Sequence, residues 1–374
     1  MQVLKYGFRR TSIYSVRSFS SAALLLCACI LLILHRDAAR NGVFTGVYMC
    51  LNTLIPSLFP FVLLSCLITR SRAAKLLFYP FAPVMRHIFR LPICAAPALL
   101  LGLTAGYPVG AKITASLYEN GELNREQAVR LLSFCTAPGY AFCAYTASVL
   151  SGTRSSVWIL FLSTIIPPLV IGIVRACFVQ KPEKTKPVEN ISFDFTDVVR
   201  DGVSAMTSMC GFLVVFSALL SVIQSSGIFR VFISQMSSLG FTVPGAGAVL
   251  TYFLEVTAGV THCAHWHLSL HVTAFGLGFA GLCIHLQLFS FFRRKAFPLS
   301  KYIYLLLRLF SALCSSFVCK LLIRIFPSTV EASAGGAPLA AVQAGSPALS
   351  AALLGLSVFF LLVCADRQST LKKL

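Results

Sequence analysis

Apolar blocks drawn at roughly 18–34, 42–68, 93–117, 128–150, 155–178, 203–225, 243–262, 268–292, 299–326 and 347–365 divide the chain, and basic residues gather between them. Several reach the ~20 residues that a helix needs to cross a hydrocarbon core. Backbone groups in lipid must pair within their own segment, so the pattern predicts an all-α polytopic membrane protein. The blocks at 93–117 and 243–262 are interrupted by Gly and Pro, and each follows an amphipathic basic stretch, Leu76 to Arg90 and Ile228 to Leu239. Interrupted segments in matching places are the sequence mark of a transporter site.

The interruptions share a tripeptide, Thr104-Ala105-Gly106 and Thr257-Ala258-Gly259, and the same offset sets Phe59 against Phe212. The order of elements repeats as well: span, surface helix, broken segment, span, span. This divides the chain into an N-terminal span and basic tail (1–41), a first repeat (42–186), a second repeat (187–326) and a C-terminal loop with a final span (327–374). Positive charge then orients the halves. If both broken segments are re-entrant hairpins, the clusters Lys5 to Arg17, Arg70 to Arg90, Arg175 to Lys186, Arg293 to Lys301 and Arg367 to Lys373 all fall inside. The expected architecture is therefore about eight transmembrane helices plus two re-entrant broken hairpins, in an inverted repeat with both termini inside.

Composition sharpens this reading. The 374 residues are 57% hydrophobic and 11% charged, far from a soluble domain. A net charge of +19 suggests nucleic acid in a soluble protein, but here the bases border apolar runs, so the lipid bilayer is the expected partner and nucleic acid is not. The 14 cysteines lack the spacing of a disulfide framework or zinc ribbon and read as small hydrophobes. The basic N-terminus leads through Cys27-Ala-Cys29 into more apolar residues without a small-residue cleavage site, so it reads as a retained span.

Chemistry concentrates at the breaks. Of twelve acidic residues only Glu255 falls inside an apolar block, where a charge is costly enough to be functional by default. Thr257 and Gly259 follow it at the helix break. In the first broken segment Thr104, Gly106, Tyr107 and Pro108 should leave backbone groups unpaired at depth, with Lys112 placed to meet an anion or pair with Glu255. Gly102, Gly106 and Gly110 also have the spacing of close helix packing. A third break, with Thr136, Pro138 and Gly139, has a second-half counterpart that carries His285 and Gln287. These thirteen residues form the candidate substrate site. His262, Cys263, His265, His267 and His271 cluster where the pattern predicts a loop at the membrane surface, and a solvated or pH-sensing role is expected there rather than a metal site. Gly276 to Gly281 fits GxGxxG but lies within an apolar span, so no cofactor is expected. No GxSxG, HExxH or P-loop pattern occurs, and the expected activity is transport rather than catalysis.

At Ile55-Pro56-Ser57-Leu58-Phe59-Pro60-Phe61, Gly106-Tyr107-Pro108-Val109-Gly110-Ala111-Lys112 and Leu131-Leu132-Ser133-Phe134-Cys135, the sequence resembles the YlbJ family of sporulation integral membrane proteins. The second-half stretches Glu255 to Gly259 and Gly278 to Gln287 resemble it too. That family belongs to the nucleoside-recognition, or Gate-domain, group, which is similar to concentrative nucleoside transporters. The resemblance implies a bacterial cytoplasmic membrane, the mother-cell-derived membrane around the forespore. It further implies delivery of a small-molecule anion, dipicolinate, during endospore formation, with a nucleoside-type heterocycle or a non-transporting envelope-assembly role as alternatives. A homodimer or a partner membrane protein is compatible with all three.

Overall fold

A computed structural model describes residues 26–71, 77–150, 153–179 and 194–326, together with Phe19 and Ala22. The expected final span at 347–365 and part of the first, at 18–34, lie outside them. All regular elements among the described residues are helical. Among the described residues, five helices are long and apolar enough to cross a membrane: α1 (Arg36–Arg70), α6 (Arg154–Cys177), α7 (Phe195–Ser225), the broken span Leu270–Ser290 and α13 (Lys301–Ile325). A sixth span results if Tyr79–Ile88 and Ile93–Ala105, bent by 107°, are counted together.

Residues 36–41, between the first two apolar blocks, are helical. His35 donates to the Leu31 carbonyl and accepts from Ala39 N–H, so residues 26–34 run into α1 without a reversal. The described part of the basic stretch after α1 is a short irregular helix, Tyr79–Ile88: around Pro80 and Pro83 a 3-10 turn, Tyr79–Phe81, runs into a π turn, Val84–Ile88.

The first broken segment comprises α2 (Ala96–Ala105) and α3 (Tyr107–Glu119). At about 15 and 20 Å, neither crosses a ~30 Å core. They fold back on each other about Gly106, and a Cβ built on Gly102 would stand 3.1 Å from the Gly110 Cα. The expected span at 128–150 is divided into α4 (Arg125–Leu132), opened by an Asn124 and Gln127 capping box, and α5 (Tyr140–Val149). Seven buried, non-helical residues, 133–139, separate them, because Pro138 cannot donate a helical hydrogen bond.

The second half repeats this order. After α7 come the amphipathic α8 (Ile228–Ser238) and a second hairpin, α9 (Val243–Leu254) and α10 (Val256–His265), folded about Glu255. His262 Nε2 lies 3.2 Å from the Pro244 carbonyl, and Gly259 meets the Tyr252 ring, so the two arms are antiparallel. The broken span then consists of α11 (Leu270–Phe279) and α12 (Gly281–Ser290).

Helices α1 and α7 pack antiparallel. Along α1 and α7, Gly42 meets Ala218, Gly46 meets Val214, Gly202 meets Leu63, and Arg70 bonds Asp201 at 2.6 Å. The small residues let these backbones approach closely. Further contacts collect the basic clusters at one end: Arg90 with the Val179 carbonyl, Arg125 with the Pro298 carbonyl, Arg293 with Ser204, and Lys295 with the Tyr118 carbonyl. By the positive-inside rule this basic end is the expected cytoplasmic end.

Candidate functional site

All four breaks meet. The tip of the first hairpin (Ala105 to Pro108), Gly139 before α5, the tip of the second hairpin (Glu255 to Thr257) and the first turns of α12 (Cys283, Ile284, Gln287) line one cavity of about 950 Å³, counted to its open mouth. The other walls come from α1, α5 and α7, through Thr53, Ser57, Phe61, Phe142, Tyr145 and Leu213. The volume falls in the range of pockets that bury small organic ligands.

Backbone crossings build the floor of this chamber. A Cβ on Gly139 would lie 2.6 Å from the Thr104 carbonyl oxygen and 2.9 Å from the Gly106 nitrogen. In the second half, a Cβ on Gly281 would lie 2.9 Å from the Tyr252 oxygen and 3.4 Å from the Val256 nitrogen. Each half thus passes one unwound strand over another at a glycine. Gly106 itself has φ 103° and ψ −173°, a conformation open essentially only to glycine.

Glu255 ends α9 and caps α10. It is buried, and its two carboxyl oxygens accept the N–H groups of Thr257 at 2.9 Å and Ala258 at 2.6 Å. The α10 dipole favours negative charge at this point, which offsets the cost of placing it at depth. Each oxygen keeps lone-pair capacity towards the chamber, so the group can accept hydrogen bonds from a solute or bind a cation. The helices α3, α5 and α12 also start at the chamber, but none has a side-chain cap. Their first-turn N–H groups and dipoles favour negative charge.

Of the thirteen candidate residues, Gly106, Tyr107, Pro108, Gly139, Glu255, Thr257 and Gln287 line the chamber. Tyr107 also donates from its hydroxyl to the Leu277 carbonyl at 2.5 Å, which ties the first hairpin to α11. The other six lie outside the lining. Thr104 bonds back to the Leu100 carbonyl of its own helix. Thr136 is buried against Leu132 and the Tyr304 hydroxyl, and Pro138 is buried beside it. Gly259 is an internal packing point of its hairpin. His285 is buried between the rings of Phe279 and Tyr304.

Lys112 and Glu255 form no ion pair. Lys112 sits four residues, about 6 Å, beyond Pro108 along α3. Its amine stands over the Phe291 ring at 5.9 Å, in a separate polar vestibule of about 1290 Å³ with Arg70, Asp201, Arg293 and Arg294. The vestibule continues along α1, α3, α7 and α12 towards the cytoplasmic end. The buried side chains of Val62, Ser65 and Met209 occupy the intervening stretches of α1 and α7.

Sequence reasoning passed over the contribution of α1. There the helix widens into a π turn, Cys50–Leu54, and Thr53 and Ser57 face the chamber. The signal was present: two hydroxyls beside Pro56 and Pro60 within an apolar span, at the kind of irregularity that often marks function. In the histidine cluster, His262 bonds Pro244 and His271 bonds Ser269, and among the described residues no three metal-ligating side chains converge.

Comparison with known proteins bears out the resemblance read from the motifs. The sporulation integral membrane protein YlbJ of Bacillus subtilis (strain 168) is 27% identical over 300 residues, covering 71% of this chain and 73% of the relative. No protein-family profile matches the chain, and no solved structure does.

Proposed function

From this kinship with a sporulation integral membrane protein, we propose that the chain is a carrier for a small anion, built from two inverted halves. Its solute is dipicolinate, delivered during endospore formation across the membrane around the forespore. The observation that carries the proposal is the meeting of four helix breaks at one chamber. Irregular backbone at membrane depth is tolerated where it lines a cavity or is buried in protein, and secondary carriers bind their solutes at such breaks. The antiparallel packing of α1 on α7 supports the inverted relation between the halves.

Charge follows the same path. Lys112, Arg293 and Arg294 in the vestibule raise the local concentration of anions at the cytoplasmic end. Within the chamber Glu255 already fills the start of α10, so carboxylates are directed to the uncapped starts of α3 and α5. The aromatic walls, Phe61, Phe142 and Tyr145, suit a planar ring.

Uptake of radiolabelled dipicolinate into proteoliposomes of the full chain tests this reading. Saturable uptake above protein-free vesicles is expected, and uptake no greater than in those vesicles overturns it. One observation favours a second solute class: no Lys or Arg lines the chamber, whereas a glutamate does. A nucleoside-type heterocycle offers N–H and O–H donors to such a group. If nucleosides are taken up and dipicolinate does not compete, the second class replaces the first.

A further inference from the structure

Helix α13 carries Arg308 seven residues, about 10 Å, in from Lys301. The residue is 3% exposed. Its Nη2 donates to the Gly278 carbonyl at 2.5 Å, at the end of α11 where the break at Ala280 leaves carbonyls without helical donors. Its Nε and Nη1 have no partner among the described residues, and neither does any described carboxylate pair with it. It shares a face of α13 with Tyr304, whose hydroxyl lies 3.3 Å from Thr136 and whose ring meets His285, so it stands beside the broken segments.

Capping α11 accounts for one of the five guanidinium donors. A backbone carbonyl offers a partial charge, and an arginine held at depth calls for a full one. Arg308 also lines a narrow cavity between α4, α6 and α13, together with Leu132, Ser133, Ile171, Tyr304 and Leu307. It spans about 340 Å³ between its lining atoms but is so slender that it admits about one water-sized particle. The cavity shares no lining residue with the chamber. Its surroundings are otherwise apolar, apart from two hydroxyls: Ser133 is already bonded to the Arg130 carbonyl, and Tyr304 is shared with Thr136. A water molecule there would accept a hydrogen bond and leave the charge as it is, whereas an anion satisfies both.

We propose that Arg308 binds a small monovalent inorganic anion of about chloride size in this cavity, as a site distinct from the solute chamber. The anion would fix the guanidinium that holds the α11 break in place. The proposal does not rest on the carrier reading.

Chloride-35 NMR on the purified full chain in detergent micelles tests it. Excess line broadening over empty micelles is expected. Bromide should displace it, gluconate should not, and Arg308→Gln should abolish it while Arg230→Gln, exposed on the surface helix α8, leaves most of it. Broadening that is absent from the wild type, or unchanged in Arg308→Gln, overturns the site. If the glutamine variant does not fold, the wild type decides alone. At fixed ionic strength its unfolding midpoint should be higher in chloride than in gluconate, and equal midpoints overturn the proposal.

Discussion

Glu255→Gln removes one acceptor from the tip of the second hairpin and keeps its shape. The carboxyl group accepts two N–H groups, from Thr257 and Ala258, within a buried turn. The amide oxygen of glutamine replaces one of these bonds. Its NH₂ group faces the other N–H and strands it, at a cost of about 1–3 kcal/mol. Loss of the negative charge from the start of α10 adds about 1 kcal/mol. The expected destabilisation is thus roughly 2–4 kcal/mol, partly relieved if the tip opens towards the chamber. Glu255→Asp separates the two roles. Aspartate is a good N-cap and should hold stability within about 1 kcal/mol of wild type, while its shorter side chain withdraws the oxygens from the chamber. Thermal unfolding in detergent should therefore rank wild type and Asp together above Gln. Initial uptake rates in proteoliposomes should rank wild type above both. A Gln variant that unfolds at the wild-type temperature, or an Asp variant that transports like wild type, refutes the assignment of both roles to this carboxyl group.

Gly106→Ala forces alanine into a glycine-only conformation, which costs about 1–3 kcal/mol, and brings its Cβ to 3.0 Å from the Gly139 nitrogen. Uptake should collapse, whereas Gly211→Ala on α7, with nothing within 4 Å of the added carbon, should leave uptake intact and unfolding unchanged or slightly later. Tyr107→Phe strands the Leu277 carbonyl and should lower stability by about 1–2 kcal/mol, with a reduced uptake rate because the hairpin tip loses its tie to α11. Lys112→Ala should raise the KM for an anionic solute without lowering the unfolding midpoint, and the difference from wild type should shrink as salt is added. An unchanged KM at low salt would show that the vestibule does not gather the solute.

The breaks were legible because glycine, proline and a lone acid inside apolar runs each defy the rules that make a simple span. What the pattern could not supply was depth and direction. Lys112 lies one turn beyond Pro108 on the same face of α3, so only the position of the chamber floor excludes it. His285 and Gln287 are two residues apart on α12, about 200° around the helix. Gln287 shares the chamber face with Cys283, and His285 turns into the packing with Phe279 and Tyr304. That division follows from helical geometry once α12 is known to begin at Gly281. The glycines at 102 and 110 proved to be packing points, each pressed against the Cys135 carbonyl, in keeping with the close-packing reading of their spacing. Arg308 was legible by the rule that singled out Glu255, since it too is a charge within an apolar block, at 299–326.

The two hairpins solve the same problem by opposite means, and the difference gives the chamber a polarity that a repeated architecture alone would not. The first turns at a glycine and leaves the start of α3 to whatever occupies the chamber. The second turns at a glutamate that supplies its own anion to α10. A solute between them meets an electropositive helix start on one side and a hydrogen-bond acceptor on the other. A ring with a carboxylate at one end and a donor, proton or bound cation at the other would satisfy both walls at once. Reversed, the same molecule would set carboxylate against carboxylate. The binding pose is therefore fixed by Gly106 and Glu255 together, and a swap of solute class should act first through Glu255.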